Sequence, residues 1–255
     1  MPLARMVTLA VLAGILIAFG GAVTNTAVYS LDNVSFSRVV CGLLFPFGLA
    51  MVVLTGAELF TGNSLMVISV LNGQARLSGM LRNWLFVYLG NFVGALFVAA
   101  GCAFFGQMDY SGGALAVFTI KLAAAKCMMP WGDAVVKGIF CNLLVCLGVL
   151  LSMSAKDTIG KIVGAYIPVS YFVFCGFEHC IANLYYVPAG LFALRVPSYA
   201  AAAEAAGVNT SALTWGGFLI HNLLPVTIGN VIGGGLIGML MWFAYLRKSK
   251  KRSMA

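Results

Sequence analysis

Uncharged apolar runs long enough to cross a bilayer recur along the whole of this chain, and that recurrence restricts it to a polytopic α-helical membrane protein. Of its 255 residues, 62% are hydrophobic and 9% charged. A soluble domain would carry roughly a quarter charged residues. No stretch between the apolar runs exceeds about 25 residues, so no second, soluble domain is expected. Hydropathy and helix breakers predict six spans: Ala4–Tyr29, Val39–Leu71, Leu81–Phe105, Ala134–Ser152, Ile162–Leu194 and Gly216–Leu246. Residues 114–127 suggest a short amphipathic helix outside the membrane.

The net charge of +8 is largely positional. Arg247, Lys248, Lys250, Lys251 and Arg252 form a basic tail directly after the last span, expected to be a cytoplasmic anchor rather than a nucleic-acid site. With six spans the N-terminus is then cytoplasmic too. Arg5, Arg76, Arg82, Lys156 and Lys161 fall on the same side, and Arg38, Lys121, Lys126, Lys137 and Arg195 outside or near it. The N-terminal apolar run is too long for a signal-peptide core and is taken as the first span. Cys102, Cys141, Cys146, Cys175 and Cys180 lie inside spans without a CxxC pair, as small buried apolar residues do. No disulfide, metal site or cofactor is expected.

The second and fifth spans run to about 33 residues, against the roughly 20 that one crossing needs, and each has a glycine and an acidic residue in its middle. A helix broken at membrane depth is tolerated where its backbone faces protein or a cavity. The halves also repeat. Gly56-Ala57-Glu58 with Asn63 matches Gly176-Phe177-Glu178 with Asn183, and Gly90-Asn91-Phe92-Val93-Gly94 matches Gly229-Asn230-Val231-Ile232-Gly233. Three spans per half make the repeats inverted, at approximately 1–110 and 130–246, with 247–255 as the tail. Paired broken helices in inverted repeats point to a transport site near the midplane; the rival explanation, duplication kept only for packing, leaves two interrupted helices in lipid without a cavity.

Thr55-Gly56-Ala57-Glu58 has the form of a capping box, in which Thr55 opens a new half-helix and Glu58 returns a bond to its free donors. Cys175-Gly176-Phe177-Glu178 occupies the matching place. This makes Glu58 and Glu178 structural in the first instance, with a proton relay as the rival role. Two half-helix N-termini directed at the centre would favour an anion. His179, beside the second break, is an intramembrane ionisable residue and so a pore candidate; His221 suits a vestibule or a cap. Thr61, Asn142, Asn183 and Asn230 are polar at membrane depth, where interhelical bonding is the plain alternative. Lys126 and Lys137 flank the fourth span as a basic vestibule or as snorkelling lysines. Phe45-Pro46-Phe47-Gly48-Leu49 could form a dewetted constriction or ordinary packing.

These segments, together with Asn83-Trp84, Asn142-Leu143-Leu144-Val145-Cys146 and Asn222-Leu223-Leu224-Pro225-Val226-Thr227-Ile228-Gly229-Asn230, resemble the formate/nitrite transporter family, including its hydrosulfide branch, over nearly the whole chain. The resemblance implies an all-α membrane protein with an aquaporin-like protomer, a homopentamer, and one pore per protomer. It maps two constrictions onto Phe45, Leu49 and Phe172, with His179 between them, Thr61 facing the path, and Asn142 and Lys126 near it. Substrates would be small monovalent weak-acid anions (formate, nitrite or hydrosulfide) moved across a bacterial inner membrane. The family usually carries an amphipathic helix before the first span; the apolar run here starts almost at Met1, and gating by such a segment is not among the expectations. An aquaporin-type channel for neutral solutes is the alternative, though its Asn-Pro-Ala boxes are absent. No nucleophile motif, metal-ligand spacing or cofactor fingerprint suggests an enzyme.

Overall fold

A computed structural model describes residues 1–247. Of the expected tail, Arg247 is described, while Lys248, Lys250, Lys251 and Arg252 lie outside the described residues. Six helical segments are long and apolar enough to cross a membrane, as expected. The first span is α1 (Leu3–Val28). The second comprises α2 (Val34–Leu44), α3 (Phe47–Thr55), α4 (Phe60–Asn63) and α5 (Met66–Leu71). The third is α6 (Leu77–Phe104), followed by α7 (Tyr110–Cys127) and the fourth span, α8 (Trp131–Ser154). The fifth is split into α9 (Thr158–Cys175) and α10 (Cys180–Ala193). A helix α11 (Pro197–Ala205) follows, and the last span is α12 (Leu224–Met241), flanked by π-helical turns at Gly217–Leu223 and Trp242–Leu246.

Span two begins five residues earlier than hydropathy suggests, because Asn33 caps α2 by accepting the Phe36 N–H at 2.9 Å. Pro46, which has no N–H to donate, separates α2 from α3. Residues 114–127 are not a surface amphipathic helix. They form most of α7, whose Leu115, Ala116, Thr119, Ile120, Ala123 and Ala124 are buried and which packs against α10 and α11. The sequence pattern concealed this because small residues make the buried face of α7 no more apolar than its other faces. Cys175, expected to be buried, is exposed at the end of α9.

The two halves use the same packing scheme. In the first, α1 lies along α6; in the second, α8 lies along α12. Glycines set the spacing. A Cβ on Gly94 would sit 2.1 Å from the Val11 carbonyl oxygen, and one on Gly233 would sit 2.2 Å from that of Ile139. Gly229 meets the Val135 carbonyl in the same way, at 2.2 Å. The repeated Gly-Asn-x-x-Gly motif is therefore a backbone-to-backbone contact, the close approach that small residues allow in lipid.

The broken spans are displaced at their breaks. The first arms, α2 with α3 and α9, pack against each other beside α1 and α8. Beyond the break, α10 lies against α6 and α7, while α4 and α5 lie against α6, α8 and α12. An unbroken rod could not change neighbours in this way. Outward faces are apolar: Leu81, Leu85, Leu89, Val93 and Phe97 form an exposed stripe with a spacing of four along α6, as a lipid-facing helix requires.

Gly94→Leu and Gly233→Leu should each lower stability by about 1–3 kcal/mol or more, since the added side chain meets a backbone carbonyl. Gly101→Ala and Gly235→Ala, where a Cβ meets nothing within 4 Å, should melt with the parent protein in detergent. Equal melting temperatures for all four would remove this packing argument.

Candidate functional site at the helix breaks

The two breaks are built alike. α3 ends at Gly56 (φ +66°) and α9 at Gly176 (φ +69°), left-handed positions that glycine adopts without strain. Ala57 N–H then reaches back to Val52 O, and Phe177 N–H to Phe172 O, each at 3.0 Å, closing a Schellman-type turn. Next in the chain, Glu58 N–H donates to Leu9 O and Glu178 N–H to Lys137 O. A span-three or span-six asparagine completes the bracket. Asn91 Nδ2 donates to Ala10 O and Glu58 O while its Oδ1 accepts the Phe60 N–H at 3.0 Å. Asn230 Nδ2 donates to Gly138 O and Glu178 O while its Oδ1 accepts the Cys180 N–H at 2.8 Å.

The capping-box expectation fails here. Thr55 is the last residue of α3 and its hydroxyl donates back to Met51 O at 2.8 Å, so it opens no helix. Glycine at the next position turns the chain left-handed, which a capping box cannot contain. Glu58 instead accepts Asn63 Nδ2 at 2.6 Å, and Asn63 Nδ2 also meets Asn83 Oδ1 at 2.8 Å. In the other half, Asn183 Nδ2 bridges Glu178 Oε2 at 2.7 Å and Asn222 Oδ1 at 2.8 Å. The five-residue Glu-to-Asn spacing thus ties each break loop to the first turn beyond it. Asn83 and Asn222 are read from the sequence only as part of the resemblance and given no role, although each precedes its bracket asparagine by eight residues.

The halves differ in charge. Lys126 Nζ grips both oxygens of Glu178, at 2.8 and 2.9 Å, and lies 5.4 Å from the Tyr186 ring centre. Asn222 Nδ2 closes the circuit on the Lys126 carbonyl. Lys126 is therefore a neutralised member of a bracket and not a free vestibule cation. Lys137 contributes its backbone carbonyl to the break, and His221, expected in a vestibule or a cap, is exposed in the π-helical turn before α12.

Between the breaks lies a small apolar cavity of about 10 Å³, lined by Ile17, Phe45, Leu49, Leu59, Val145, Val169, Phe172 and His179. That volume holds about one water. Phe45 and Phe172 meet edge-on with ring centres 5.9 Å apart, and Phe172 stacks on His179 at 5.8 Å. Phe45 lies about 17 Å of helix from Val34, and Phe172 about 21 Å from Thr158, so the rings meet near mid-depth. Phe45, Leu49, Phe172 and His179 thus line one cavity. Ile17, Leu59, Val145 and Val169 carried no signal beyond hydropathy. A larger concavity of about 350 Å³, between Trp84, Tyr88, Leu219 and Leu223, has none of these residues and lies on the outer surface.

His179 caps α10. Its Nδ1 accepts the Ala182 N–H at 3.1 Å, which leaves the ring proton on Nε2, the neutral tautomer. Nε2–H then donates to Thr61 Oγ1 at 2.9 Å. Thr61 so keeps its own hydroxyl proton for another acceptor. Asn142 does not join the cavity wall. Its Nδ2 links Asn230 O at 2.7 Å to Thr61 O and Ser64 Oγ at 3.3 Å, holding α4 against α12.

Lys126→Met should cost about 3–5 kcal/mol by leaving Glu178 buried and unpaired. Lys126→Met combined with Glu178→Gln should recover much of that. Thermal unfolding of the cycle in detergent checks it; a double variant no more stable than Lys126→Met would show the pair uncoupled.

The sequence profile of the formate/nitrite transporter family matches residues 1–244. A probable formate transporter of Methanothermobacter thermautotrophicus is 35% identical, over 97% of this chain and 91% of its own length. The formate channel FocA of Escherichia coli K12 is 36% identical, over 94% and 86%. Among solved structures, a pentameric formate channel with formate bound superposes with a TM-score of 0.84 at 33% identity, covering 96% of this chain and 98% of that one. An ion channel described as a member of the same family superposes with a TM-score of 0.79 at 27% identity, over 94% and 90%. The chain therefore belongs to the formate/nitrite transporter family and is an anion channel or transporter.

Proposed function

We propose that this protein passes formate, with nitrite and hydrosulfide as smaller-scale substrates of the same path, as a homopentamer in a bacterial inner membrane with both termini cytoplasmic. The formate channels among its relatives and the pentameric neighbour support the substrate and the assembly. The distribution of basic residues supports the orientation.

One observation carries the mechanism: a neutral histidine, hydrogen-bonded to Thr61, faces a small apolar cavity that no charged group lines. Moving a bare anion through such a region costs up to tens of kcal/mol in the low-dielectric limit. A weak-acid anion escapes that cost by taking up a proton before it enters. Thr61 Oγ1 and its hydroxyl proton then offer the crossing acid one polar stop.

His179 is poorly arranged to donate the proton itself. Loss of Nε2–H from a neutral ring leaves an imidazolate, and gain of a proton at Nδ1 breaks the cap on Ala182. Uptake of the proton from water in the mouth avoids both. His179 and Thr61 act as a hydrogen-bonding waypoint, and Phe45, Leu49 and Phe172 exclude water and ions.

In proteoliposomes, formate uptake should fall roughly tenfold per pH unit as the neutral acid becomes scarce. His179→Asn keeps an N-cap and should slow uptake while preserving that slope. A flat pH profile in His179→Asn would instead put the proton on His179. Uptake of glycerol or water with no formate flux would overturn the anion reading altogether.

A further inference from the structure

Lys126 cannot supply the field that gathers anions at the break in span five, because Glu178 cancels its charge at 2.8 Å. Another cation stands over the same break. Arg38, exposed on α2, has its guanidinium Nη1 3.0 Å from where a Cβ on Gly176 would lie, with Cζ and Nη2 at 3.3 Å. Glycine at 176 therefore serves two ends: it takes φ +69°, and it leaves room for the guanidinium against the backbone of the break. One turn along α2, Gly42 lies against the Phe174 ring, which fixes α2 to the end of α9. The Tyr186 ring lies beneath Lys126.

Arg38 has no acidic counterpart. Lys126–Glu178 is the ion pair formed among the described residues, and none of the seven acidic side chains of the sequence pairs with Arg38. Lys126 and Glu178 sum to zero, whereas the Arg38 charge at the break has no paired acid. A guanidinium presents a planar fork of donors that matches a carboxylate or another small oxyanion.

We propose that Arg38 is the anion-gathering residue of the mouth at the Gly176 break, holding small carboxylates there before they enter the apolar cavity. This rests on the anion-channel reading above. The rival role is local: a guanidinium beside the C-terminus of α9 also favours the helix dipole. Ionic strength separates the two, since gathering acts over many ångströms and a contact at a helix end does not.

Formate uptake into proteoliposomes would be measured at about 0.01 M salt, where the screening length is about 30 Å, and at about 1 M, where it is about 3 Å. Arg38→Gln removes the charge but keeps amide donors. Val34→Glu leaves Arg38 in place and supplies an acid one turn away, at the spacing that pairs with it. Each should raise the half-saturating formate concentration roughly three- to ten-fold at low salt with the maximal rate unchanged, and the gap should close at high salt. Arg38→Lys keeps the charge but not the fork, and should lie closer to the parent than Arg38→Gln at low salt. Half-saturation unchanged at low salt, or a defect equal at both salts, would overturn the proposal and leave Arg38 a helix-end contact. Should Arg38→Gln fail to assemble, Val34→Glu decides by the same criterion. No formate flux in the parent protein would remove the channel reading itself, and with it this one; parental flux with indifferent variants removes Arg38 alone.

Discussion

The architecture depends on two asparagines reaching across helix contacts that only glycine permits. Asn91 and Asn230 each serve two carbonyls and one N–H at a break, and each is fully buried. They can do so because Gly90 and Gly94, or Gly229 and Gly233, bring spans one and three, or four and six, to near backbone contact. Unsatisfied peptide groups in hydrocarbon cost several kcal/mol each. A chain interrupted twice in a bilayer needs such a bracket at every interruption, and this fold supplies the same one twice.

The scaffold is pseudo-symmetric, but the chemistry built on it is not. Aligning the brackets sets Leu59 opposite His179 and Thr61 opposite Ile181. One half supplies the hydroxyl and the other the imidazole, and the two meet at 2.9 Å across the pseudo-axis. The acids follow the same pattern. Glu58 is held by asparagine amides alone, whereas Glu178 has the Lys126 ammonium as well. A repeat that preserves the backbone brackets leaves the side chains between them free to specialise, and the proposed permeation path runs where they differ.

The apolar cavity makes the selectivity argument physical. Its wall offers no countercharge, and its volume admits about one water, so neither a bare ion nor a hydrated one is accommodated cheaply. The solute proposed above, a small one able to shed its charge, meets that constraint. Electrostatics then belongs at the mouths and neutrality at the centre.

The sequence by itself determined the six spans, the inverted repeat and the positions of both breaks. These rest on local properties: hydropathy over the width of a bilayer, and glycine where the backbone must turn left-handed. Local reading also misled. Thr55-Gly56-Ala57-Glu58 has the composition of an N-cap, yet the same glycine ends the preceding helix, so Thr55 looks backward and Glu58 serves Asn63. The tertiary structure alone decided that Lys126 pairs with Glu178 across 52 residues, that Asn142 is a tie and not a wall, and that Phe45 meets Phe172. Each of those depends on which helix faces lie together. Hydropathy cannot say that, because in a bilayer the inward and outward faces of a helix are equally apolar.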